Sequence, residues 1–228
     1  MTCEVELCLS ISAIIKIMLV TVCPTVTADN PDDYRRQMEL IEPFADRIHV
    51  DVADGEFAPH RLVNFDQVWW RGNRTIDLHV MYKLPAEHAE IILALSPRLV
   101  ILHAEAEGNF LGFAQLLRKH GIEVGIALLA GTAVDAIIPA LNYIDHVLVF
   151  SGNLGYQGGS EVDFGLLKKV EQIRRLKPLI EIGWDGGVND TNARRLAEAG
   201  VDVLNVGGFI QKAADPAAAY AILRKVLA

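Results

Sequence analysis

Apolar and polar positions alternate along Ile48-His49-Val50-Asp51-Val52, the period of a β-strand. His49 and Asp51 therefore share one face of that strand, and Val50 and Val52 the other. The preceding segment has a different period. Tyr34, Met38, Ile41 and Ala45 recur at helical spacing, behind Asn30 as a cap and Pro31 as a first helical residue. The same switch repeats down the chain. It predicts strands over 19–22, 48–52, 74–81, 98–104, 123–129, 146–150, 179–184 and 201–206. Between them it predicts a short helical piece over 65–70 and helices over 85–95, 109–120, 134–141, 162–176, 189–200 and 216–227.

Alternation of strand and helix without a linker implies a parallel sheet, and eight units close naturally into a single (β/α)8 TIM barrel. A doubly wound open sheet is the competing architecture, weakened because no G-x-G-x-x-G follows the first strand. Residues 18–228 hold the whole pattern. Residues 1–17 read as an N-terminal extension, because Met18 directly precedes the first strand; an element covering the bottom of the fold is the alternative. The apolar run from Leu7 to Val22 is short for a membrane span and is interrupted by Lys16, while Glu4 and Glu6 occupy positions that a signal peptide makes positive. No membrane association is expected.

At 228 residues the chain can bury a large core, and its net charge of −8 disfavours nucleic acid as a partner. An acidic protein can still take a phosphorylated metabolite through backbone N–H groups and a metal. The three cysteines, Cys3, Cys8 and Cys23, have neither zinc-site spacing nor an even count, so a reducing cytoplasmic compartment is the simplest expectation.

In a barrel, function collects at the C-terminal ends of the strands. His49 and Asp51 end the second strand, His79 the third and Asp185 the seventh. Two imidazoles and two carboxylates can thus converge on one divalent ion, with zinc, iron, manganese and cobalt all suited to mixed nitrogen and oxygen donors. For each residue singly, a buried hydrogen bond to protein is the plainer reading. Asp77 is placed to orient His79, or else to cap nearby backbone. Glycines follow strands six to eight: Gly158 and Gly159, with Gly155 before them, then Gly187, then Gly207 and Gly208. Such positions let backbone N–H groups approach a phosphate, although any one of them alone is an ordinary turn.

These segments resemble the ribulose-phosphate 3-epimerase family. The resemblance lies in TVTAD (25–29), HVDVADGEF (49–57), DLHVM (77–81) and HAEA (103–106). It continues through VLVFSGNLGYQGG (147–159), DGGVN (185–189) and VGG (206–208). It spans the chain from about Met18 to the C-terminus. The resemblance implies inversion of C3 of D-ribulose 5-phosphate to give D-xylulose 5-phosphate. It makes His49, Asp51, His79 and Asp185 the ligands of one divalent metal per chain, with Asp51 and Asp185 also the two acid/base groups. Thr27 and Met81 stand at the family's serine and methionine positions on the substrate side, and His103 and Glu105 fall in a segment near the active site. A homo-oligomer is implied as well.

Ala53 and Phe150 replace methionines usual in the family, His60 replaces an asparagine, and the glycine pair of the strand-six loop is displaced by one position. A ketohexose 6-phosphate such as allulose 6-phosphate is therefore an alternative substrate, and a non-catalytic sugar-phosphate-binding barrel an alternative function. Related barrels that decarboxylate or condense sugar phosphates carry D-x-K-x-x-D, and Asp77-Leu78-His79 lacks that lysine.

Overall fold

The structure is a computed structural model that describes residues 20–228. Eight parallel strands among these residues close into a barrel in sequence order. They are β1 (Thr21–Val26), β2 (Arg47–Ala53), β3 (Thr75–Met81), β4 (Leu99–His103), β5 (Glu123–Leu128), β6 (His146–Phe150), β7 (Glu181–Asp185) and β8 (Val203–Val206). Around them lie α1 (Pro31–Ile41), α2 (Ala89–Leu95), α3 (Phe110–Lys119), α4 (Leu167–Leu176), α5 (Ala193–Glu198), α6 (Gly208–Gln211) and α7 (Pro216–Leu227). The open sheet is thereby excluded. The extension expected over 1–17 lies outside the described residues.

The period-two alternation sorts each strand into an outer and an inner face. Outward residues such as Val50, Val52, Leu78 and Val80 join the main core beneath the helices. Inward, Leu99, Ile101, Ala127 and Leu148 form a small apolar plug. Helix boundaries follow local chemistry. The Asn30 side chain accepts from Asp33 N and the Asp215 side chain from Ala218 N, each ahead of a proline in the first turn.

Five expected helices differ. Those expected over 85–95 and 162–176 open with 3-10 turns, Pro85–His88 and Phe164–Leu166, so that α2 and α4 begin later than expected. Residues 65–70 make a turn, in which Gln67 N donates to Asn64 O, and the connection from β2 to β3 has no regular helix. Val63, Phe65 and Val68 are buried all the same, so the apolar pattern there records packing rather than helical hydrogen bonding. The segment Val134–Ala140 is a 3-10 helix with Pro139 inside it, which cannot donate the hydrogen bond an α-helix needs. The helix expected from Asn189 begins at Ala193, because the Asn189 side chain instead accepts from Thr191 in a preceding turn. The first strand extends to Val26, beyond the expected 22, because Thr21 to Pro24 pair with β8 and Thr25 and Val26 with β2.

Charged side chains close the barrel at the N-terminal ends of the strands. Arg47 binds Glu181 through two hydrogen bonds of 2.8 and 2.7 Å and Asp77 through one of 2.7 Å. Arg98, immediately ahead of β4, reaches Asp77, Glu123 and Glu181, and His146 meets Glu181 at 2.8 Å. Because this network seals the bottom, solvent and ligand enter from the opposite end, where the catalytic loops of such barrels lie.

Candidate active site

Strand register brings the expected donors together. Asp51 is the cross-strand partner of His79, and both are buried. His79 Nδ1 lies 2.8 Å from Asp51 Oδ1. The other carboxylate oxygen of Asp51 accepts from Thr27 Oγ1 at 2.6 Å. His49, one inward step earlier on β2, has Nε2 3.3 Å from Asp51 Oδ1 and 3.6 Å from Asp185 Oδ2. Neither ring nitrogen of His49 has a hydrogen-bond partner, although the side chain is fully buried. One donor atom from each of His49, Asp51, His79 and Asp185 lies within 4.8 Å of every other.

The electrostatics fit a cation. Burial and the nearby Asp51 charge, opposed by His49, push the Asp185 carboxyl up to about 7. Burial would raise Asp51 too, but hydrogen bonding and charge from His49 and His79 hold it well below the usual carboxylate range. Burial lowers His79 to about 4 against the pull of Asp51, so its imidazole is neutral and able to ligate. For His49, burial is outweighed by Asp51 and Asp185, and its value is raised. Two carboxyls and two imidazoles, one of them near both carboxylates yet making no hydrogen bond among the described residues, form a donor set that can hold a divalent metal.

His103 touches this cluster, its Nε2 2.9 Å from His79 Nε2. Glu105 places one carboxylate oxygen 3.4 Å from His103 Nδ1, while the other accepts from Leu129 N and Thr132 Oγ1. Asp77 does not orient His79. As the cross-strand partner of His49 it lies one inward step lower, and its carboxylate is held by Arg47 and Arg98 in the floor network. Phe57 and Phe150 pack against His103, and Phe150 also against His79, giving one apolar side to the site.

Above the donors opens a cleft of about 300 Å³, lined by Thr27, Asp51, Met81 and Asp185 at its base and by the expected glycines along its rim. The loops after β6 and β8 touch backbone to backbone there. A Cβ on Gly208 would lie 3.2 Å from Gly158 Cα, and one on Gly158 would lie 3.2 Å from Lys212 Nζ. Gly187 has a φ of 75° and leaves only 2.5 Å to Glu161 backbone, so no side chain fits. Gly155 packs against the His60 carbonyl, and the His60 ring stacks on Tyr156 at 4.8 Å, so this glycine also seats the loop over the mouth.

Three lining residues escaped the sequence reading. Among the described residues, Lys212 is the sole lysine or arginine lining the cleft, and its Nζ donates to Gln157 O at 3.1 Å. Gln157 links the β6 loop to Thr25 O and Gln37 Oε1. Asn205, on β8, is buried with both side-chain polar atoms unpartnered. A cation four residues beyond a glycine pair is a signal for Lys212; the inward phase of β8 is the only one for Asn205.

The family model described as the ribulose-phosphate 3 epimerase family matches residues 21–210. A Helicobacter pylori protein named ribulose-phosphate 3-epimerase is 35% identical over 177 residues, covering 75% of this chain and 82% of that one. The Mycobacterium tuberculosis protein of the same name is 35% identical over 190 residues, covering 79% and 82%. Among solved structures, a 3-hexulose-6-phosphate synthase superposes with a TM-score of 0.69 at 19% identity, covering 92% of this chain and all 100% of that one. That likeness is one of fold.

Proposed function

The chain belongs to the ribulose-phosphate 3-epimerase family, an isomerase family, and from that premise we propose that it inverts C3 of D-ribulose 5-phosphate to give D-xylulose 5-phosphate. The observation that carries this reading is the convergence of four donors on three strands, three of them buried, beneath a cleft rimmed by glycine loops. His49, Asp51, His79 and Asp185 would hold one divalent ion. When bound, such an ion would supply positive charge that stabilises the anion left by removal of a proton next to the ketone.

The remaining chemistry belongs to the chain. Inversion requires one group to take the C3 proton and another to return a proton on the opposite face. Asp51 and Asp185 come from β2 and β7 and flank the cleft floor from different sides. Without the ion, burial raises Asp185 while the neighbouring imidazoles hold Asp51 ionised, so the two carboxyls differ in their affinity for a proton. His103 and Glu105 position His79. Phe57 and Phe150 keep water away from the apolar side.

The phosphate would lie against Gly158, Gly159, Gly187, Gly207 and Gly208, where a bare backbone permits close approach. Lys212 adds a positive charge to the cleft lining. The test is conversion of D-ribulose 5-phosphate by purified protein, with metal content measured in the same sample and allulose 6-phosphate run alongside. Turnover of the hexulose phosphate alone would replace the substrate assignment, and turnover of neither would leave a binding barrel.

A further inference from the structure

Among the described residues, Asn205 is a buried carboxamide without a hydrogen-bond partner. It is 2% exposed, and neither Nδ2 nor Oδ1 has a partner. Leaving both ends of an amide buried and unpaired is costly, so the position would be expected to hold an apolar side chain. Asn205 also lines the cleft. On the neighbouring strand, Thr25 Oγ1 is a second buried cleft-lining atom without a partner.

The register states where this carboxamide acts. Asn205 is the cross-strand partner of Asp185, and Gly207 follows two residues later, immediately past the end of β8. Two residues of strand span about 6.6 Å. That step thus joins a proposed C3 base to the proposed phosphate rim. In a ketopentose 5-phosphate, the carbon between the inverted centre and the phosphate-bearing carbon is C4, and it carries one hydroxyl. A hydroxyl both donates and accepts, as does a carboxamide.

We infer that Asn205 is the specificity-determining residue for the substrate's C4 hydroxyl, bonding it through the buried carboxamide. This rests on the proposed reaction and deepens it. The site selects a ketose phosphate hydroxylated next to the inverted carbon. A site built around a buried polar group rejects an analogue that leaves the group unpaired far more strongly than an apolar pocket rejects a size change.

The test is a two-by-two comparison of wild type and Asn205→Ala on D-ribulose 5-phosphate and its 4-deoxy analogue, read as exchange of the C3 proton with solvent deuterium. Wild type is expected to lose at least a hundredfold in kcat/KM on deletion of the hydroxyl, whereas Asn205→Ala loses less than threefold. Asn205→Ser, which restores a small donor and acceptor, should recover part of the discrimination. Equal penalties in wild type and variant overturn the inference, as does a wild type that handles the deoxy compound within threefold of the parent, a result that needs no folded variant. If wild type exchanges neither compound, the reaction itself is misassigned and the inference falls with it. If it turns over the parent normally while the penalties match, only the role of Asn205 fails.

Discussion

Asp51 and His79 are cross-strand partners whose side chains meet at 2.8 Å, and that contact ties the two strands that supply three of the four donors. Parallel register puts the side chains on one face at one height. A one-residue slip between β2 and β3 would turn one set outward and destroy the site.

The donor set predicts about one divalent ion per chain. Chelation is expected to abolish turnover and leave the barrel's circular dichroism in place, because most of the core packs between strands and helices away from the cluster. Replacing His49 or His79 with Ala should lower bound metal well below one per chain. Elemental analysis with activity before and after restoring the ion checks both; chelated protein with full turnover would exclude a metal-dependent reaction.

Two carboxyls on different strands predict two bases. Asp51→Asn and Asp185→Asn are each expected to lower interconversion by about 10²–10⁴-fold. Residual C3 proton exchange should begin from one epimer in one variant and from the opposite epimer in the other. Metal content is measured first, since both residues are also proposed ligands. A metal-replete variant with near-normal interconversion removes that aspartate from the acid/base role.

The rim predicts where binding is lost. Lys212→Met should raise KM about ten- to 150-fold with little change in kcat, because a charged hydrogen bond to phosphate contributes about 1.5–3 kcal/mol. Gly208→Val should also raise KM, since a side chain there meets Gly158 backbone. Steady-state kinetics on both variants decide it; an unchanged KM in both would put the phosphate elsewhere.

The floor network predicts a pH-dependent stability. Burial would raise Glu181, but its hydrogen bonds and charge contacts with Arg47 and His146 hold it far below its ordinary 4.5. A carboxyl whose folded value lies below its unfolded one contributes fully above pH 4.5 and loses that contribution as the pH falls further. Arg47→Met should therefore cost about 3 kcal/mol at pH 7 and progressively less below pH 4.5. Denaturant unfolding at pH 7 and pH 3.5 measures it. A cost that is the same at both values would show that the ion pairs do not set the acid sensitivity.

Much of this was legible because it is local. The inward phase of His49, Asp51 and His79 follows from a period of two, and the end of β7 at Asp185 from the glycines that break it. The turn at 65–70 misled for a local reason as well: helix and packed loop share apolar spacing there, and only hydrogen bonding separates them. Asp77 misled because its inward phase is that of His79, while its height in the barrel gives it to Arg47 and Arg98.

Chain periodicity and turn chemistry set the order of strands and helices, the inner face of each strand and the residue types at each strand end. Which of those residues meet depends on how the barrel closes. The contact of His79 with His103, the closure of the floor by charges from five strands, the approach of the β6 loop to the β8 loop at Gly158 and Gly208, and the unpaired carboxamide of Asn205 beside Asp185 all depend on barrel closure and stagger. Those are fixed by the packing of eight strands at once, and no single segment encodes them.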